Sequence, residues 1–143
     1  MDKERILSKI DELDSYLGEL EKIKLSDFEE YKNSIKDKRA CERLLQISIE
    51  CVVDICNLII TGLKLGLPYD EEETFEKLEQ NKIIPQELKK ILVGMKGFRN
   101  ILVHKYGNVN NEIVFEMFSD KLGDFDKFKD EIILFLKKHK EVK

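Results

Sequence analysis

The sequence predicts an all-α fold, an up-and-down bundle of about five helices, and three observations carry that expectation. Apolar residues recur at alternating spacings of three and four through most of the chain, the period of a helix with one buried face. Hydrophobic residues make up 42% and charged residues 38%, with 7 Gly, 2 Pro and no Trp, which suits amphipathic helices better than sheet or disorder. At 143 residues the chain is long enough for one real core and short for two. Residues 1–143 therefore read as a single helical domain, with a lysine-rich end after about residue 138 that frays.

The elements follow in order. Ile6, Ile10, Leu13, Leu17 and Leu20 form the seam of a first helix over about residues 2–24. Ser26 ahead of Asp27, Glu29 and Glu30 reads as an N-cap followed by acids at the positive end of a helix dipole. A long second helix should run from there to about Leu65 and serve as the spine. From Leu44 to Leu63 apolar residues cover most of its circumference, yet Arg39, Arg43, Gln46, Glu50, Asp54, Asn57 and Thr61 fall within roughly 80° of one another. Such a stripe either pairs with charges on a neighbouring helix or walls a site. Gly66-Leu67-Pro68 breaks the pattern, and a short acidic helix follows from Tyr69-Asp70 through Gln80, with Phe75 and Leu78 as core contacts. Pro85 then occupies the first turn of a fourth helix over about 85–105, which stops near Gly107. After a turn at 107–110, a last helix runs from Asn111 to about Lys140. Its seam is Phe118, Leu122, Phe125, Phe128, Ile132 and Phe135, and Gly123 is its point of bending.

The formal net charge is -4 and the pI about 5.4, so the molecule as a whole repels nucleic acid and any RNA site must be a local basic patch. Cys41, Cys51 and Cys56 lie in one predicted helix without a CxxC pair or nearby histidine; they read as small buried side chains in a reducing compartment. No Gly-rich phosphate loop, zinc-ligand spacing, carboxylate dyad or Ser-His-Asp pattern stands out, so neither a metal nor a cofactor is expected. The start MDKERILSKIDE lacks the apolar run of a signal peptide, and no stretch reaches about 18 uninterrupted apolar residues. The expectation is a cytoplasmic protein with no membrane attachment.

The residues that point to chemistry gather at 98–106, Phe98-Arg99-Asn100-Ile101-Leu102-Val103-His104-Lys105-Tyr106. A histidine titrates near neutral pH, and an arginine is a fixed cation matched to phosphate. Together they suit proton transfer beside a phosphodiester whose charge is developing. On an ideal wheel Arg99 falls near the middle of the apolar face made by Leu88, Leu92, Met95, Leu102 and Val103. There it either pairs with an acid such as Glu50 or Asp54 of the second helix or meets an anion in a cleft. His104 lies about 140° round the helix from Arg99, on a strip with Val93, Gly97 and Ile101. One straight helix cannot aim both groups at one phosphate. A two-fold dimer whose fourth helices pair across Gly94 and Gly97 is the simplest arrangement that brings them together. Tyr106 sits where the helix runs out, and Lys89, Lys90, Lys96 and Lys105, together with Arg39 and Arg43, are the candidates for a local positive field.

Arg99, four residues, His104, one residue and Tyr106 resemble the R-x4-H-x-Y signature of HepT-type HEPN toxins, and Asn100 stands after the arginine as in that signature. The similarity extends to Arg39-Ala40-Cys41-Glu42-Arg43-Leu44-Leu45-Gln46, which resembles the start of the family's long helix, and to the connectors Leu67-Pro68 and Ile83-Ile84-Pro85. The resemblance implies a dimeric, metal-independent endoribonuclease toxin with a MntA-type nucleotidyltransferase antitoxin as partner. Carried over by position, it makes His104 the general acid or base, Arg99 the phosphate stabiliser and Asn100 a residue of the same site. It makes Tyr106 the tyrosine to which the antitoxin transfers AMP. The alternative is a non-catalytic HEPN domain that binds nucleotide or substrate for a nucleotidyltransferase, with Arg99 gripping phosphate and His104 only hydrogen-bonding.

Overall fold

A computed structural model describes residues 1–104 and 109–139. Among them all regular structure is helical, in seven segments: α1 (Lys3–Lys22), α2 (Phe28–Lys32), α3 (Ile35–Gly62), α4 (Glu71–Gln80), α5 (Gln86–His104), α6 (Asn111–Asp120) and α7 (Gly123–Lys138). The all-α architecture is as expected; two of the five anticipated helices are each divided.

The first division falls at Asn33-Ser34. Asp27, not Ser26, caps the helix that follows: its carboxylate accepts from the Glu30 N–H at 2.9 Å, while the Ser26 hydroxyl donates to the Glu30 carboxylate at 2.6 Å. That helix ends after five residues. Ser34 then caps α3, accepting from the Asp37 N–H at 3.2 Å and donating to the Asp37 carboxylate at 3.0 Å. The second division falls at Lys121-Leu122, just ahead of Gly123, where Lys121 leaves helical geometry with φ -118 and ψ 10. The last seam holds at Phe118, Phe125, Phe128 and Ile132, with Leu122 half-buried, and differs at its final position. Leu136 is buried in place of Phe135, which stacks on His139 instead.

α1 runs antiparallel to α3. Met1 meets Gly62 at one end, and further along the Cys51 thiol donates to the Lys9 carbonyl at 3.0 Å. Ile6, Ile10, Leu13, Leu17 and Leu20 are all buried, as their spacing requires. α3 supplies buried residues along most of its length and contributes to a core shared with every other helix. It is long and apolar enough to span a bilayer by composition alone, but its apolar side chains are used by that core. Burial raises the pKa of each of its thiols, to about 12 for Cys41 and about 11 for Cys51. Cys56, fully inside, moves further in the same direction. Thiols held this way are inert packing groups.

The polar stripe of α3 is divided between neighbours. Asp54 pairs with Lys9 of α1 at 3.4 Å, and burial of the lysine is outweighed by that partner, so its pKa rises. Asn57 accepts from the Thr74 hydroxyl of α4 at 3.3 Å, Glu50 accepts from Gln46 at 3.1 Å, and Arg39 pairs with Glu42 at 3.0 Å. Pairing between helices, rather than one continuous wall, accounts for its middle.

Candidate functional site

The local sequence builds a rigid platform before it builds the site. Asp70 caps α4 by accepting from the Glu73 N–H at 2.8 Å, and the Glu73 carboxylate reaches back to the Tyr69 N–H at 3.0 Å. The cap and the bond one residue ahead of it together hold the first turn Glu71-Glu72-Glu73 in place. α4 then lies antiparallel to α5, with Lys89 between Glu76 and Glu79 at 3.7 Å from each, and Glu72 3.9 Å from Lys96.

At the end of this ladder stands Arg99. Its side chain is only 15% exposed. Nε donates to the Asn100 side-chain oxygen at 3.2 Å, and Nη2 donates to the Glu71 carboxylate. The partner is therefore on the short connector helix and not at Glu50 or Asp54, because α4 folds back along α5 while Lys9 engages Asp54. Both bonds use the edge of the guanidinium formed by Nε and Nη2. Nη1, on the other side, has no partner among the described residues.

The apolar face that holds Arg99 thins toward its C-terminal end. Leu88, Leu92, Met95 and Phe98 are buried, Leu102 is half-buried and Val103 is exposed. His104 is the last residue of α5 and is exposed, at the negative end of the helix dipole. Lys105 and Tyr106 lie outside the described residues, as does the turn at Gly107.

The strip that carries His104 borders an open groove of about 530 Å³ between α5 and α6. Gly94, Gly97 and Ile101 line one side of it, and Ile113 and Met117 the other. A Cβ added at Gly94 or Gly97 meets nothing within 4 Å, so neither glycine is needed for packing inside one chain. Lys121 and Glu116 pair at 3.5 Å on the rim.

The remaining cations are dispersed. Lys89 and Lys96 face α4 acids, and Lys90 is exposed beside the groove. Arg39 and Arg43 are exposed on the first half of α3. α4 meets α3 where Thr74 donates to Asn57, so Arg43 stands about 20 Å along the helix axis from that contact. Among the described residues no three His, Cys, Asp or Glu side chains converge as a metal-ligand set.

Glu71 is the residue that sequence reasoning passes over. It lies 28 positions from Arg99 and looks like one of three dipole-favoured acids. The Asp70-x-x-Glu73 pattern locates the helix start, but nothing local says that one of those acids faces α5.

Comparison with known proteins places the fold. The profile of a family described as "Ribonuclease HepT-like" matches residues 6–132. A "tRNA nuclease HepT" of Aphanizomenon flos-aquae is 30% identical over 131 residues, covering 92% of this chain and 89% of that protein. An "mRNA nuclease HepT" of Shewanella oneidensis is 40% identical over 88 residues, covering 62% of this chain and 66% of that protein. Among solved structures, a tri-AMPylated Shewanella oneidensis HEPN toxin in complex with an MNT antitoxin superimposes with a TM-score of 0.84 at 30% identity, over 94% of this chain and 99% of that one.

Proposed function

The chain belongs to the HepT-like ribonuclease family, and on that premise we propose that it is the RNA-cleaving toxin of a toxin–antitoxin pair, active as a homodimer in the cytoplasm. One observation carries the reading: Arg99 is held at its Nε/Nη2 edge with Nη1 unpartnered, five residues before an exposed His104.

In this reaction His104 takes the proton of a ribose 2′-OH, whose oxygen attacks the adjacent phosphorus. The bond from phosphorus to the 5′-oxygen breaks, and that oxygen gains a proton. The products are a 2′,3′-cyclic phosphate and a 5′-hydroxyl, with no metal required. Arg99 balances the negative charge that grows on the phosphorane oxygens, and Asn100 fixes the guanidinium beside it. Because His104 is about 140° from Arg99 on one helix, the working cleft combines α5 of two copies across the α5–α6 groove. Lys96, Lys105, Arg39 and Arg43 serve as contacts to the RNA backbone.

The partner is a nucleotidyltransferase of the MntA type, and Tyr106 is the acceptor of AMP. Phosphate groups two residues from His104 place charge and bulk where RNA enters, so modification silences the site.

The purified protein is expected to cleave RNA in EDTA, and His104→Ala and Arg99→Ala to reduce turnover by at least about 100-fold with the fold retained. Cleavage indifferent to both substitutions removes this assignment. Saturable nucleotide binding by a protein that cuts no RNA favours the non-catalytic binding domain instead.

A further inference from the structure

The geometry points to Glu71 as a positioning residue for the reaction, one that fixes which edge of the Arg99 guanidinium is presented to the scissile phosphate. The inference rests on the reading of Arg99 as the phosphate stabiliser and adds to it a residue from another helix.

An arginine side chain has several freely turning bonds, and a guanidinium recognises phosphate through paired N–H groups on one edge. Asn100 and Glu71 together engage Nε and Nη2 of Arg99, which leaves the Nη1 side without a protein partner. Asn100 alone is adjacent on the same helix and bonds a single nitrogen. Glu71 supplies the second point, from a separate element, and with the covalent attachment at Cδ the two bonds fix the plane of the group.

The carboxylate is itself well anchored. Glu71 opens α4, whose start is closed by the Asp70 cap on Glu73 and by the Glu73 carboxylate on the Tyr69 N–H. The body of α4 is tied to the rest of the fold by Thr74 to Asn57 at 3.3 Å and by Lys77 to the Leu65 carbonyl at 3.1 Å. A displaced guanidinium loses complementarity to the transition state more than affinity for RNA, since many other phosphates bind the protein non-specifically.

The test measures kcat and KM on a labelled RNA oligonucleotide, with thermal unfolding, for the full-length protein and for Glu71→Ala, Glu71→Gln and Arg99→Ala. Glu71→Ala is expected to lose about 10- to 100-fold in kcat, with KM changed by less than about threefold. Glu71→Gln, which keeps an acceptor oxygen, is expected to recover part of that loss and to retain the fold even where the alanine variant does not. Turnover abolished in Arg99→Ala but unchanged or raised in Glu71→Ala overturns the inference alone, because Glu71 is then a bystander or a competitor of the phosphate. Equal losses in both Glu71 variants that follow their melting temperatures overturn it as well, as a purely structural effect. Full turnover in Arg99→Ala overturns the role of Arg99 and this inference with it.

Discussion

At the scale of single residues, Arg99 and His104 stand in different environments. Arg99 is largely covered and tied on one edge, whereas His104 is exposed at the end of α5. Tyr106, two positions further on, offers a separate measurement. Intact mass after co-expression with a neighbouring nucleotidyltransferase is expected to rise by AMP increments, and Tyr106→Phe to abolish them; an unmodified protein in an active pair removes the tyrosine switch. The spacing that singles these residues out is legible in the sequence because it is local. Glu71 is not, because a contact across 28 residues depends on how α4 packs, and three neighbouring glutamates look alike until one helix lies beside another.

At the scale of elements, capping explains why the bundle has more segments than its apolar periodicity suggests. The 3.6-residue pattern runs through 28–62 almost without interruption, yet Ser34 and Asp37 close a new helix start on each other. Ser34→Ala is expected to lower stability by about 1 kcal/mol, read as a shifted denaturation midpoint at unchanged slope, and Ser34→Asp to restore it. No loss in the alanine variant means that packing alone sets the break. The bounds of α1, α4 and α5 were nearly readable, since their apolar seams end at turn residues or caps. Those of the long second and last helices were not, because side-chain competition for backbone N–H groups and a one-residue departure at Lys121 leave the hydrophobic period almost untouched.

At the scale of the whole molecule, the apolar groove beside α5 is the face on which the proposed dimer is tested. Gly97→Glu adds a helix-favouring side chain at a position with open space, so the single chain tolerates it, while a charge there repels a second copy. By sedimentation the unaltered protein is expected to be a dimer and the variant a folded monomer without ribonuclease activity. A dimer that persists in the variant with full turnover moves the shared cleft elsewhere.

If two copies complete the cleft across that open groove, catalytic competence becomes a matter of dosage. Below the dissociation constant of the pair, the number of complete clefts falls with the square of the number of chains. A few copies escaping an inhibitor are then nearly harmless, while a modest surplus is not, and the cell meets a threshold in place of a slope.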